Sequence, residues 1–176
     1  MIDRSEPLHQ IKSRRDMALQ TIVGVIPYAA WLGISFDRRG DELTAVMAYA
    51  ERNIGNPLLP ALHGGAIAAF LETAAVVQLA WARSWDDIEG GRSQSEGTRP
   101  ASSMPVGGGD EALRLPKTID FTVDYLRSGL PRDAYARARI VRSGRRYASV
   151  QVEAWQDNRE RLFAQATGHF LMPSEG

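Results

Sequence analysis

The sequence predicts an α+β domain in which a curved antiparallel sheet wraps around one long central helix. Three observations lead there. From Gly64 to about Ala82 the chain reads GGAIAAFLETAAVVQLAWA, apolar except for Glu72, Thr73 and Gln78. That run is too apolar for a surface helix and short for a membrane span of about 20 residues. Further on, apolar and polar residues alternate with the period of a strand at 117–126 (KTIDFTVDYL), 133–142, 146–155 and 161–172. Finally, a chain of 176 residues with 44% hydrophobic and 24% charged residues fits one domain, 1–176, with its own core.

Taken in order, residues 7–23 carry Leu8, Ile11, Met17, Leu19 and Ile22 at helical spacing behind the start signals Ser5 and Pro7, and predict an N-terminal helix as an extension of the domain, 1–23. Pro27 interrupts the next apolar run. Trp31–Phe36 and Leu43–Tyr49 then read as a hairpin turned by Arg38, Arg39, Gly40 and Asp41. Gly55, Pro57 and Pro60 make 51–62 a loop. The central helix follows, apolar all round and so buried on all sides. Residues 85–115, rich in Gly, Ser and Pro and without period, read as an insertion into the domain. In the strand 117–126, Ile119, Phe121, Val123 and Tyr125 face one way and Thr118, Asp120, Thr122 and Asp124 the other. Turn signals at Gly129 with Pro131, Ser143 with Gly144, and Asp157 with Asn158 make the last four strands an antiparallel meander. The helix and about six strands then form two layers.

Composition narrows the function. Lys plus Arg (21) equal Asp plus Glu (21), so no basic field exists to gather nucleic acid or anionic lipid, and neither is expected as a partner. The absence of Cys removes thiolate nucleophiles and thiolate metal sites, and His9, His63 and His169 show no short ligand spacing, so no metal is expected. The opening MIDRSEPLHQIKSRRD has no apolar segment of the secretory kind, which predicts a cytoplasmic chain.

Two features carry potential chemistry. His63, Gly64 and Gly65 stand at the mouth of the central helix, where backbone N–H groups lack partners and meet the positive end of the dipole. Such amides can hold an oxyanion; equally, the glycines can relieve crowding while His63 caps the helix. Glu72 is a carboxylate within an apolar helix that has no basic residue before Arg83. It is either a general base or nucleophile, or a residue at a subunit seam or on a narrow solvated stripe. Gly64 and Glu72 are eight residues apart, about 12 Å along a helix. Both cannot act on one carbonyl from the same chain, since a base and an oxyanion donor must each lie within about 3 Å of the reacting atoms. If they share a substrate, two chains pair with helices antiparallel, giving a twofold dimer with two composite sites. Trp31, Trp81, Trp85 and Trp155 read as core or seam packing, with Trp81 and Trp85 alternatively lining a pocket.

The segment GNPLLPALHGGAIAAFLETAA, the strand KTIDFTVDYLRSG and the closing alternation together resemble the hotdog-fold acyl-CoA thioesterases, in particular the PaaI-type branch linked with phenylacetate breakdown. The likeness spans residues 24–173, apart from the 85–115 insertion. It implies hydrolysis of an acyl-CoA to a free acid and CoA by a homodimer or a dimer of dimers, with no cofactor. The Gly64 N–H then polarises the thioester carbonyl, with Gly65 completing the motif and His63 orienting the loop. Glu72 takes the place of the family's catalytic Asp or Glu, activating water or attacking the carbonyl to give an anhydride. Thr118 falls where relatives place a Ser or Thr that positions the water. Asn56 resembles the Asn that usually precedes HGG, set one place further from His63 than the common spacing. For the CoA phosphates, Arg142, Arg145 and Arg146 are candidates, with Arg127 a second choice; solvated arginines at a hairpin are the alternative. A non-catalytic hotdog module that binds acyl-CoA or scaffolds an oligomer is the other functional class. A hotdog hydratase or dehydratase implies a His with an acidic partner in a different arrangement.

Overall fold

The computed structural model describes residues 8–89 and 113–173, with side chains over 12–84 and 113–173. Ser5, Pro7, most of the 85–115 segment and the side chains of His9 and Trp85 lie outside the described residues. Helix α1 (Leu8–Gly24) and the short helix α2 (Pro27–Leu32) precede strands β1 (Ile34–Arg39) and β2 (Glu42–Met47). A small hairpin, β3 (Ile54–Asn56) and β4 (Ala61–Leu62), leads into the long helix α3 (Gly64–Glu89). Strands β5 (Lys117–Tyr125), β6 (Ala134–Ser143), β7 (Tyr147–Trp155) and β8 (Ala164–Leu171) follow. The main sheet has six antiparallel strands in the order β1-β2-β6-β7-β8-β5.

The core forms between α3 and one sheet face. Ile67, Phe70, Leu71, Ala74, Ala75 and Leu79 of the helix meet Ala134 and Ala136 of β6, Ala148, Val150, Val152 and Ala154 of β7, and Ala164, Ala166 and Phe170 of β8. The alanines let the helix approach the strands closely, and Phe70 and Phe170 fill the space between. Helix α1 closes a second cluster, burying Leu19 and Ile22 against Val77, Ala80 and Trp81. Arg38 Nε fixes α1 to β1 by donating to Asp16 at 2.8 Å. By length and composition Gly64–Ser84 could cross a membrane, with mean hydropathy 1.5, but it is the core helix and 61% of its most apolar stretch is buried.

Five expectations are corrected. Trp31 and Leu32 belong to helix α2, not to the first strand: Pro27 occupies its first turn and Gly33, at φ 74°, ends it in the left-handed region, so the hairpin begins only at Ile34. The 51–62 loop contains the β3–β4 pairing, Ile54 opposite Leu62. Helix α3 runs past Ala82 to Glu89, because nothing in ARSWDDIE breaks a helix before Gly90; the segment read as an insertion therefore begins with helix. Nor is α3 buried on all sides: Gly64, Ala68, Glu72 and Val76, spaced by four, form a partly exposed stripe along it. Only β6, β7 and β8 form a meander, while β5 lies at the sheet edge beyond β8. Phe121 and Gly168 show how β5 fits there, since they are register partners and a Cβ at Gly168 would come within 2.4 Å of the Phe121 ring.

Candidate active site

The start of α3 is built by a capping arrangement. The His63 carbonyl accepts from Ile67 N–H at 3.0 Å, the first bond of the helix, and the His63 ring Nδ1 accepts from Gly65 N–H at 2.9 Å. An accepting Nδ1 is unprotonated, so the ring proton of this neutral imidazole sits on Nε2. The β3–β4 hairpin presses on this turn, and a Cβ at Gly55 would stand 2.8 Å from the His63 Cα. On the other side, the Tyr125 hydroxyl donates to the Gly64 carbonyl at 2.8 Å. The peptide between Gly64 and Gly65 is thus held at both its carbonyl and its N–H. The preceding amide, Gly64 N–H, has no hydrogen-bond partner among the described residues. It is partly exposed and sits at the positive end of the helix dipole, as an anion donor should.

Two turns along the helix stands Glu72, partly buried and without an ion pair among the described residues. Its Oε1 accepts from the Thr118 hydroxyl at 2.5 Å. The simple alternation predicted for β5 turned Thr118 away from the face of Phe121; the structure reverses it. The pairing with β8 shifts between Thr118 and Asp120, so that Thr118 opposes the buried Phe170 while Asp120 opposes His169. Ile119 is the extra residue of this bulge and is 56% exposed. One inserted residue brings Thr118 onto the helix side together with Phe121, Val123 and Tyr125.

Strand β5 therefore touches both halves of the site. Thr118 meets Glu72 near its start and Tyr125 meets Gly64 at its end, so β5 runs opposite to α3. The site residues named from sequence gather in two groups, Glu72 with Thr118 and His63 with Gly64 and Gly65, at positions on α3 that are eight residues apart, about 12 Å. Asn56 joins neither group: its side-chain oxygen accepts from Leu58 N–H at 3.0 Å and Leu59 N–H at 3.3 Å, which fixes the β3–β4 turn. Arg142, Arg145 and Arg146 are exposed at the β6–β7 turn, and Arg127 is exposed after β5. The first three lie at the Thr118 end of the sheet, where Tyr147, Leu171 and Lys117 stand side by side. Trp81 is a core residue, 5% exposed, and Trp155 is also buried, stacked on Tyr135.

Sequence reasoning missed two members. Tyr125 was placed on the inner face without a role, although its position after DFTVD puts it on the same face as its neighbours Phe121 and Val123. Asn53, 1% exposed, links α2 to the His63 turn: its amide donates to the Leu32 carbonyl at 3.3 Å while its own carbonyl accepts His63 N–H at 2.8 Å. A His–carboxylate pair also exists, His169 with Asp120, but both follow the outward register of β8 and β5, away from α3.

The family model for the acyl-CoA thioesterase N-terminal domain matches residues 56–171, more than half of the chain. The chain belongs to the acyl-CoA thioesterase family. Its architecture is the hotdog fold, which solved structures share. A Chromobacterium violaceum protein is 31% identical, with a TM-score of 0.59 over 94% of this chain and 98% of that one. PaaI of Escherichia coli, from the phenylacetic acid degradation operon, is 14% identical, with a TM-score of 0.64 over 92% and 95%. A phenylacetic acid degradation-related protein of Ralstonia eutropha is 18% identical, with a TM-score of 0.60 over 90% and 99%. No curated protein sequence matches the chain. As a thioesterase-family domain, this chain carries the fold of a thioester hydrolase, and a carboxylate with a free helix-start amide is chemistry suited to that reaction.

Proposed function

We propose that the protein hydrolyses acyl-CoA thioesters in a twofold dimer, each site joining Glu72 and Thr118 of one chain to the Gly64 N–H of a second copy. The observation that carries this reading is the Glu72 carboxylate, free of any cation among the described residues and gripped on one oxygen by Thr118. Its second oxygen is left for the reaction. In the general-base route Glu72 takes a proton from water while the water oxygen attacks the thioester carbon. The tetrahedral oxyanion is held by the second copy's Gly64 N–H; collapse breaks the C–S bond, and the proton on Glu72 passes to the departing CoA sulfur. In the nucleophilic route Glu72 itself attacks and releases CoA, and water positioned by Thr118 cleaves the anhydride.

The edge position of β5 supports the dimer. If two β5 strands pair antiparallel about a twofold axis near Phe121 and Thr122, Thr118 of one chain faces Tyr125 of the other. Glu72 of one copy is then brought toward Gly64 of the other, which closes the gap of about 12 Å within one chain. The exposed Arg142, Arg145 and Arg146 lie at the same sheet end as Thr118 and are suited to CoA phosphates.

Thiol release from a panel of acyl-CoAs tests this. Glu72→Gln should retain the fold by circular dichroism and lower kcat by about 10²–10⁴-fold; turnover at the wild-type rate overturns the assignment. The binding-only reading is favoured by one observation, the engagement of the Asn56 side-chain oxygen within its own turn. Calorimetric binding of acyl-CoA without any CoA release would establish it.

A further inference from the structure

We infer that Leu58 and Leu59, at the tip of the β3–β4 turn, are specificity residues that wall the acyl side of the second copy's site, which accordingly takes an apolar acyl group. This rests on the reading that Glu72 of one copy and Gly64 of the other share a thioester. Leu58 is 90% exposed and Leu59 73%, the two most exposed large hydrophobic side chains among the described residues. They add little to the core of their own chain, yet their backbone is held in place. Asn56 Oδ1 accepts from both Leu58 N–H and Leu59 N–H, and Pro57 and Pro60 restrict the chain on either side of the pair. Two leucines on so fixed a turn form a preorganised apolar contact, since little freedom remains to be lost when something covers them.

The turn goes with Gly64. His63 N–H donates to the Asn53 carbonyl at 2.8 Å and Leu62 N–H to the Gly129 carbonyl at 2.8 Å, so the hairpin is tied both to the start of α3 and to the β5–β6 connection. Leu126 and Leu130 of that connection, 49% and 42% exposed, add to the apolar surface at this end of the fold. Neither Leu58 nor Leu59 belongs to the core clusters built on α3, and Glu72 of the same chain stands eight residues beyond Gly64, about 12 Å. The leucines therefore accompany Gly64 to the carbonyl it serves, the one attacked with the second copy's Glu72. Leu59 precedes His63 by four residues, at most about 13 Å at 3.3 Å per residue. An acetyl group ends short of that tip, whereas a long acyl chain reaches it. Of the two parts of an acyl-CoA, the leucines suit the acyl group, because they gain by covering apolar surface and offer the nucleotide neither charge nor donor.

The test is a kinetic series on the full chain. The wild type should prefer decanoyl-CoA to acetyl-CoA. Leu58→Ala combined with Leu59→Ala should leave the melting temperature and the dimer mass unchanged, as both side chains are exposed. It should raise KM for decanoyl-CoA about tenfold with kcat within about twofold, while KM for acetyl-CoA and inhibition by free CoA stay within about twofold. A mixed dimer of this variant with Glu72→Gln, purified through two different tags, shows which copy the turn serves. There the intact Glu72 of one chain meets the intact turn of the other, so KM for decanoyl-CoA should return to the wild-type value at half the kcat. A wild type that prefers acetyl-CoA, an equal loss on acetyl-CoA or free CoA, dissociation of the variant dimer, or a raised KM persisting in the mixed dimer overturns the inference. If the wild-type protein releases no thiol from any acyl-CoA, the hydrolase reading fails by itself. Calorimetry then decides the role of the leucines: the double variant should bind decanoyl-CoA about tenfold more weakly and free CoA equally well, and unchanged affinity for decanoyl-CoA overturns it.

Discussion

Thr118→Val removes one hydroxyl and keeps the branched shape of the side chain, so it isolates the hydrogen bond to Glu72. The bond is 2.5 Å long and its acceptor is a carboxylate, a class worth about 1.5–3 kcal/mol. Glu72 is partly exposed, so water can replace the lost donor in part, and the lower end of that range applies. If the bond serves to hold the carboxylate in its reactive orientation, about 1.5 kcal/mol appears in the barrier, a loss of about tenfold in kcat at 1.36 kcal/mol per decade. KM should stay within about twofold, because the hydroxyl is not asked to bind the ground state. The assay is thiol release under saturating acyl-CoA, with Thr118→Ser, which keeps a hydroxyl, as the control that should retain activity. A Thr118→Val enzyme with wild-type kcat refutes the reasoning.

Two further outcomes follow from the geometry. Tyr125→Phe frees the Gly64 carbonyl held at 2.8 Å and lets the peptide plane rock, so kcat should fall about three- to tenfold at little cost in stability; an unchanged kcat removes Tyr125 from the site. Gly168→Ala drives a methyl to within 2.4 Å of the Phe121 ring, an overpacking worth about 1–3 kcal/mol. A thermal melt should show a fall in Tm of about 2–4 °C per kcal/mol at this chain length, and an unshifted Tm contradicts the close approach of β5 to β8.

What the sequence made legible is what depends on local pattern. The apolar run after Gly64 became α3, the alternation after residue 116 became four strands, and the HGG step became a capped helix start. What it hid depends on pairings between distant residues. The run Trp31–Phe36 looked like a strand because its apolar content is high, yet Pro27 and Gly33 frame a helix whose capping chemistry outweighs that content. The place of β5 beyond β8 is decided by the fit of Phe121 over Gly168, residues 47 positions apart. The bulge at Ile119 is invisible to any count of period, since it exists only relative to the register of β8. For the same reason Thr118 could be named from the family likeness while its direction was misread, and Tyr125 could be placed on a face but not on Gly64.

The structure also changes why Glu72 is a credible acid–base group. In the sequence, Glu72 stands out by its expense, since a charge inside an apolar helix is costly to bury without a partner. The partly exposed stripe Gly64, Ala68, Glu72 and Val76 lowers that expense, because a carboxylate in contact with water needs no partner and no function. A different cost replaces it. Bringing Thr118 to Glu72 interrupts the β5–β8 ladder at Ile119, which is left as the unpaired residue of the bulge and is 56% exposed. A merely solvated Glu gives no return for this, since water would supply the same donor without a bulge. A carboxylate that must keep one oxygen occupied and the other free does, because a fixed hydroxyl sets the orientation that mobile water cannot.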